Sequence, residues 1–371
     1  MLEKLKGALY GIAIGDGMGA PVEGWFSESI LENFEGVNDF LPVTHDGDPE
    51  TGKGNGRFTD DTLMTEALIH VYRNKEDHID AHDYKDYFIP ELVEKKVWVP
   101  EYQKEMAVFE RLWWPEKYPR QRLNINNADP RSSGIGNMVN CGVAMYMMPV
   151  GAVNAGDPAA AYQEAASFGI AHNESFAVEA AAVMAAAFAR AFEKEASIDK
   201  VIKKAIDFAK LGTKNAIFDT IAAVNINYGL KEFIYQTRKA IKPYDQRKDE
   251  FSEEKPLTVG LGDVGKPSNI HSIEELPVAL AALKYGNGDF LKTIKAAVFY
   301  GRDCDSIASM AGGLFGAIYG LNLLPGNLCS GSDKANKRNM EELAVDFLET
   351  IKKIHQKDVK RFENKENTLS F

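Results

Sequence analysis

The sequence has few cysteines, a deficit of basic charge and no long apolar segment, and each of these absences excludes a class of protein. Its three cysteines show no paired spacing, which argues against a disulfide framework or a zinc site and is typical of a reducing compartment. Lysine and arginine number 43 against 54 for aspartate and glutamate, so the formal net charge is -11. A nucleic-acid-binding surface is therefore not expected.

The apolar segments are too short or too interrupted for membrane insertion. No uninterrupted apolar run approaches about 18 residues, the length that predicts a membrane-spanning helix. The first apolar stretch, residues 5–14, contains Gly7 and Gly11 and leads directly into Gly15 and Asp16. That pattern is typical of a packed helix and not of a signal peptide. We therefore expect a cytoplasmic protein without a membrane partner.

The spacing of apolar residues predicts a mostly helical chain. Leu5, Leu9 and Ile12 recur at helical spacing near the start. Residues 174–196 are rich in alanine and apolar nearly all round, so this helix is expected at the centre of the fold. Strand signals are weak, and because 45% of the residues are hydrophobic the chain can bury a large core. We predict an all-α fold.

Short apolar runs and segments of unusual composition are the exceptions to this helical pattern. Residues 97–99 and 143–150 are apolar and short, and they are typical of strands or irregular segments. Segment 98–133, with three tryptophans and several prolines, and segment 242–270, charged and rich in glycine and proline, are interpreted as insertions that cover the domain. Residues 356–371 are highly charged and are interpreted as a mobile tail.

Two acidic clusters at opposite ends of the chain carry the strongest functional signal. Residues 59–62 read Thr-Asp-Asp-Thr and residues 303–306 read Asp-Cys-Asp-Ser, and each joins paired carboxylates to a hydroxyl at a predicted helix start. Taken alone, aspartates at such a position more often serve as helix caps. Two such clusters in one chain favour a shared all-oxygen site for one or two hard cations, Mg²⁺, Mn²⁺ or Ca²⁺.

Two glycine-rich segments and one histidine are further candidates. Glu23 follows the turn 15–22, whose glycines let a backbone approach a ligand closely, although a plain surface carboxylate is an equal alternative. Segment 134–151 could present backbone N–H groups to a phosphate, or it could be a tight connection. His172 lies at the end of a helix, where a lone histidine is more often structural than catalytic.

Taken in order along the chain, these segments resemble the ADP-ribosylglycohydrolase family. The resemblance is carried by residues 7–23 with Glu23, by the two acidic clusters, by residues 142–151 and by His172 ahead of the alanine-rich helix. It implies a compact single-domain bundle over residues 1–355, with a binuclear metal centre. The ions implied are two Mg²⁺, with Mn²⁺ as the alternative.

Residue roles carry over by matching position in the sequence. The resemblance implies that the metal ligands are Thr59, Asp60, Asp61, Asp303, Asp305 and Ser306. It implies catalytic roles for Glu23 and Asp61, with Asp16 as another acid that could serve. It also implies that the substrate is bound by one loop and one histidine, namely Gly136, Asn137, Asn140, Gly142 and Met145 of the loop and, later in the chain, His172.

The sequence also departs from the family pattern. Tyr146 stands where the family usually has an arginine, and Arg302 and Cys304 replace a more common glycine and threonine. Ser306 replaces a threonine but keeps the hydroxyl. These departures put the usual substrate contacts in question and allow a specialised substrate.

The expected activity is metal-dependent hydrolysis of the N- or O-glycosidic bond of an ADP-ribosyl group. The partner would be an ADP-ribosylated protein or a free ADP-ribosyl compound. Two alternatives stay open. One is a hydrolase of a smaller ribosyl substrate such as a nucleoside, and the other is a non-catalytic member of the family. The oligomeric state is not predicted.

Overall fold

The structure is a computed structural model that describes residues 1–44, 51–244 and 271–369. Most of the segment predicted as a cover at 242–270 lies outside the described residues. The helices in the first half of the chain are α1 (Leu2–Gly19), α2 (Ser27–Phe34), α3 (Asp60–Lys75), α4 (Ala81–Asp83), α5 (Ile89–Glu94), α6 (Val108–Arg111), α7 (Trp114–Arg120), α8 (Met148–Val153), α9 (Pro158–Gly169) and α10 (Ser175–Ala191). Those in the second half are α11 (Ile198–Phe208), α12 (Leu211–Ala222), α13 (Leu230–Ile241), α14 (His271–Gly286), α15 (Phe290–Val298), α16 (Cys304–Tyr319), α17 (Gly326–Asn336) and α18 (Met340–Leu369).

The all-α fold class is confirmed, with one small exception. Strands β1 (Lys96–Val99) and β2 (Lys104–Ala107) form an antiparallel hairpin in which Lys96 faces Ala107. The first of the two apolar runs is therefore a strand, whereas residues 143–150 lead from the end of a short 3₁₀ helix through a turn into α8. Among the described residues, no helix has the length and apolar character needed to cross a membrane.

Helices α1 and α16 lie against each other with their backbones in direct contact. A Cβ atom placed on Gly11 would lie 2.0 Å from the carbonyl oxygen of Gly312, and one on Gly316 would lie 1.9 Å from that of Gly7. Side chains at these positions would force the helices apart, since real Cβ atoms do not approach backbone so closely. The same contact continues to Gly19, where a Cβ would lie 2.4 Å from the Cα of Asp305. The glycines thus bring the end of α1 onto the start of α16.

The alanine-rich helix α10 lies in the core, as predicted. Nearly all of its residues from Ala180 to Ala191 are buried, and it packs against α8, α9, α11 and α14. Helix α14 in turn packs against α12, α15 and α16. Small side chains on α10 let several helices approach it at once, and this layer supports the α1–α16 pair from behind.

The charged segment that we interpreted as a mobile tail, residues 356–371, is helical up to Leu369 and forms the last part of α18. Three of its side chains bond to the body of the protein, and in the first of these bonds Nζ of Lys357 donates to the carbonyl of Glu76 at 2.6 Å. Arg361 donates to both carboxylate oxygens of Asp77, and Asp358 lies 3.0 Å from Nε2 of His78. The other ring nitrogen of His78 lies 2.6 Å from Oε2 of Glu164 on α9. Charges that suggested a solvated tail are therefore partly used to hold the helix in place.

The bridging histidine makes the stability of this junction dependent on pH. The hydrogen bond to Glu164, aided by Asp358 and opposed by burial, raises the pKa of His78 to about 9. A raised pKa means that the stabilisation is fully present below about pH 6.5 and is lost as the pH rises through 9. We expect His78→Gln to lower the Tm by about 1–3 °C at pH 6 and by much less at pH 10.

Thermal unfolding of His78→Gln and wild type across this pH range tests the expectation. The matched control is His355→Gln, which changes an exposed histidine on α18 that does not bridge to the body of the protein in this way. A Tm difference for His78→Gln that is equal at pH 6 and pH 10 would contradict a charged bridge.

Candidate metal centre

The structure brings the two acidic clusters together where α3 and α16 begin, beside the end of α1. Carboxylate oxygens of Asp16, Asp61 and Asp305 all lie within 4.8 Å of one another. A second group of oxygens, from Glu23, Asp303 and Asp305, is equally close. Asp305 belongs to both groups, so the two groups form one continuous acidic centre. This is the arrangement expected if the clusters share a cation site.

Asp16 fixes the N-terminus of α3 from a distant part of the chain. Its carboxylate accepts hydrogen bonds from the backbone N–H groups of Thr59 and Thr62, at 2.8 and 3.1 Å. It also accepts from both hydroxyls, at 2.9 and 2.6 Å. Thr59 is the N-cap residue by position, but the capping carboxylate comes from Asp16. Burial raises the pKa of Asp16 to about 6, although these bonds favour its ionised form.

The remaining aspartates repel one another in a buried setting. Burial, with the charges of Asp16 and Asp60, raises the pKa of Asp61 well above its usual range. Burial and the charge of Glu23 do the same for Asp305. One oxygen of Asp61, Oδ1, is buried and has no hydrogen-bond partner among the described residues. A bound cation would relieve the repulsion and provide that oxygen with a partner.

The donor atoms fit a hard divalent cation. Carboxylate oxygens dominate the centre, and the hydroxyl of Ser306 adds to them, donating a hydrogen bond to Oδ2 of Asp61 at 3.4 Å. Oxygen-rich sites of this kind suit Mg²⁺ or Mn²⁺ better than zinc or copper. The thiol of Cys141 also borders the centre, but it donates to Oδ2 of Asp303 at 3.1 Å and burial raises its pKa, so it behaves as a neutral neighbour.

Two of the predicted site residues have cationic partners. Asp60 pairs with Arg111 at 2.5 Å, and the same guanidinium bonds Glu101 at 2.7 Å. Burial alone would raise the pKa of Asp60, but Arg111 holds it below the usual value. Glu23 pairs with Lys53, and this charge outweighs the effect of burial, so the pKa of Glu23 is also lowered. Both carboxylates are therefore ionised at neutral pH.

The predicted substrate loop lies beside this centre and is held by asparagine side chains. Oδ1 of Asn140 accepts from the backbone N–H of Gly142 at 3.2 Å and from Nδ2 of Asn173 at 3.0 Å. Nδ2 of Asn137 donates to the carbonyls of Pro115 and His172, both at 2.8 Å. The loop is therefore a built structure rather than a loose connection.

Two of the other residues in the predicted substrate set lie deeper. Met145 is buried, and His172 has no exposed surface. Nδ1 of His172 lies 2.7 Å from the hydroxyl of Tyr146, and burial lowers the pKa of His172 to about 3, so the ring is neutral. Gly136, by contrast, is exposed and donates its N–H to Glu174. The structure thus separates an outer loop from a core layer behind it.

Comparison with known proteins agrees with this geometry. A family model described as ADP-ribosylglycohydrolase matches residues 1–357. The chain belongs to the ADP-ribosylglycohydrolase family. Membership supports a glycohydrolase-type activity for the protein. The family is also typically metal-dependent, which agrees with an acidic centre that could hold a metal ion.

Relatives of the chain cover nearly its whole length. An uncharacterized protein of Escherichia coli K12, YegU, is 25% identical over 350 residues, covering 92% of this chain and 96% of that protein. An uncharacterized protein of Archaeoglobus fulgidus is 25% identical over 340 residues, covering 85% and 88%. A solved structure described as an ADP-ribosylglycohydrolase-related protein complex matches with a TM-score of 0.58 and 19% identity, covering 94% of this chain and 98% of that one. At this identity, the last match shows the fold alone.

Several residues that border the acidic centre were not predicted from the sequence. Three of them have titratable side chains near Glu23 and Asp60. Lys53 pairs with Glu23, Arg111 pairs with Asp60, and the charge of Asp60 raises the pKa of Glu116. The last two come from the segment 98–133, which we had interpreted only as a cover. Its aromatic residues drew attention, but no local pattern links an arginine or a glutamate there to an acidic cluster far away in sequence.

Proposed function

We propose that this protein is a metal-dependent hydrolase that cleaves the glycosidic bond of an ADP-ribosyl group attached to a protein or a small molecule. The observation that carries the proposal is the convergence of five carboxylates in two groups that share Asp305. In a chain of the ADP-ribosylglycohydrolase family, such a centre supports hydrolysis at the anomeric carbon of a ribosyl group.

The proposed ligands of two Mg²⁺ ions, with Mn²⁺ as the alternative, are Thr59, Asp60, Asp61, Asp303, Asp305 and Ser306. When bound, such ions orient the ribose hydroxyls and lower the pKa of a water molecule. Asp16 holds Thr59 and the start of α3 in place for this task. Arg111 has to share Asp60 with any cation, because it already pairs with that carboxylate.

Glu23 is the proposed acceptor of the proton from the attacking water. It lies beside Asp303 and Asp305, and its lowered pKa keeps it ionised at neutral pH, as a base requires. A carboxylate near an anomeric carbon activates water in many glycoside hydrolases. Asp61, the other residue predicted as catalytic, is proposed to act as a metal ligand in the first place.

Replacing Glu23 separates catalysis from binding. Glu23→Gln keeps the size of the side chain but removes the charge, so we expect kcat to fall by about 10²–10⁴ while the affinity for ADP-ribose changes far less. As a companion variant, Lys53→Met leaves Glu23 in place and should raise its pKa, moving the acidic limb of the pH–rate profile upward. If Glu23→Gln keeps the wild-type kcat, another carboxylate must accept the proton, and Asp16 is the next to test.

The function itself is tested with a panel of substrates and purified protein in Mg²⁺. The panel consists of α-NAD⁺, ADP-ribosyl-arginine, ADP-ribosyl-serine and nucleosides, and release of ADP-ribose or ribose is measured by chromatography. Release of ADP-ribose that stops in EDTA and returns with Mg²⁺ is the expected result. Turnover that continues unchanged in EDTA would contradict a metal-dependent reaction.

A second candidate, a hydrolase of nucleosides or similar ribosyl compounds, is favoured by one observation. Tyr146, which replaces the usual arginine of the family, is buried and its hydroxyl is engaged by His172. It therefore offers no positive charge to a diphosphate. Release of ribose from nucleosides without release of ADP-ribose from any other member of the panel would favour this candidate.

A further inference from the structure

Glu116 is a buried carboxyl group between the substrate loop and the metal centre. It lies on α7 and is only 4% exposed. Its Oε1 accepts a hydrogen bond from Nδ2 of Asn140 at 3.3 Å. A Cβ atom on Gly142 would lie 2.7 Å from the same oxygen, so the loop backbone presses directly on the carboxyl group. A side chain at residue 142 would force the ends of the Glu116 and Asn140 side chains to move.

The surroundings of Glu116 give little compensation for a buried charge. Its Oε2 has no hydrogen-bond partner among the described residues. Burial and the charge of Asp60 raise the pKa of Glu116 to about 7, against the smaller opposing effects of hydrogen bonds from its own backbone N–H and from Asn140 and of the charge of Arg111. The charge of Glu116 in turn helps to raise the pKa of two buried phenols, those of Tyr84 and Tyr146. A carboxyl group in so costly a place needs a function that a neutral apolar residue could not perform.

Asn140 links this carboxyl group to the loop. Its Nδ2 donates to Glu116, which leaves Oδ1 free to accept from the N–H of Gly142 and from Asn173. An amide side chain can be turned by half a revolution with little change in shape, so its orientation is set by its partners, here the acceptor at Glu116 and the donors at Gly142 and Asn173. Glu116 is the acceptor among these three partners, so its loss leaves Nδ2 of Asn140 without this hydrogen bond and weakens the hold of Asn140 on Gly142.

We propose that Glu116 is a positioning residue that orients Asn140 and thereby holds the loop around Gly142 in the conformation that binds the ADP-ribosyl group. The inference rests on the proposed function, since it concerns the substrate of the same site. It assigns to the segment 98–133 a role in substrate affinity in addition to its contact with the metal centre through Arg111.

The test uses the affinity of the full-length protein for ADP-ribose in saturating Mg²⁺, measured by isothermal titration calorimetry. Glu116→Ala is expected to raise the Kd about tenfold, the usual effect of losing one hydrogen bond in a buried network. Asn140→Asp should weaken binding at least as much, because it sets two carboxyl groups against each other. Adding Glu116→Gln to Asn140→Asp restores a donor and an acceptor in reversed order and should return the Kd to within about threefold of wild type.

The controls separate a positioning role from general damage to the fold. Glu110→Ala changes an exposed glutamate on the neighbouring α6 and should leave the Kd unchanged. The reversed pair keeps the inference testable even if Glu116→Ala does not fold. Unchanged affinity in Glu116→Ala, or no recovery in the reversed pair, overturns the inference while wild-type binding stands. Absence of ADP-ribose binding by the wild type overturns the proposed function and the inference with it.

Discussion

Asp305→Ala is expected to abolish hydrolysis almost completely, because Asp305 is the one carboxylate that belongs to both oxygen groups of the centre. Its loss leaves each group with two carboxylates and should weaken Mg²⁺ binding by more than about 100-fold, since even neighbours of metal ligands are worth 10–100-fold. Calorimetric titration with Mg²⁺ and Mn²⁺ measures this directly. Activity is then assayed at limiting Mg²⁺.

The same variant should stabilise the protein when no metal is present. Burial and the charge of Glu23 raise the pKa of Asp305 well above its usual range, so its ionised form opposes folding at neutral pH. We therefore expect a higher Tm than wild type in EDTA, and a lower one in excess Mg²⁺. Asp199→Ala, at an exposed position in the first turn of α11, is the matched control and should lower the Tm slightly and equally in EDTA and in Mg²⁺. Wild-type turnover of Asp305→Ala at limiting Mg²⁺ would count decisively against a metal role.

The second large effect is expected from Gly11→Ala at the contact between α1 and α16. The added Cβ would lie 2.0 Å from the carbonyl oxygen of Gly312, and backbone on both sides leaves no flexible group that can move away. Alanine favours a helix over glycine by about 1 kcal/mol, but overpacking at such a contact costs more. We expect a net loss of about 3 kcal/mol in the free energy of unfolding, together with weaker metal binding as α16 is displaced.

Urea unfolding monitored by circular dichroism measures this loss. Gly36→Ala is the control, since a Cβ at Gly36 meets no atom within 4 Å and the change should stay within about 0.5 kcal/mol. If Gly11→Ala and Gly36→Ala unfold at the same urea concentration as wild type, the helices tolerate a wider separation than the structure shows.

The helices and the acidic clusters were predictable because their signals are local. The alanine-rich segment predicted the central helix α10, and adjacent carboxylates with a hydroxyl predicted the starts of α3 and α16. Nothing in the sequence named Gly11 as the partner of Gly312. Such a match is a property of the packed pair, and only the fold supplies it.

The partners of the acidic residues could not be predicted for the same reason. Lys53 and Arg111 become relevant only when the chain places them against Glu23 and Asp60. The charged end of α18 is a further case. Its composition suggested a solvated tail, because composition does not reveal that Arg361 meets Asp77 on a remote turn. Long-range ion pairs leave no periodic trace in a sequence.

The contact between α1 and α16 also has a consequence for the synthesis of the protein. Cys304 donates to the carbonyl of Gly19, a pairing that spans 285 residues of sequence. Helix α1 therefore leaves the ribosome long before its partner exists, and its glycine-lined face must wait without native contacts while the middle of the chain is made. A nascent chain has no Asp303 or Asp305, so the capacity to bind a cation arises only when translation has passed them.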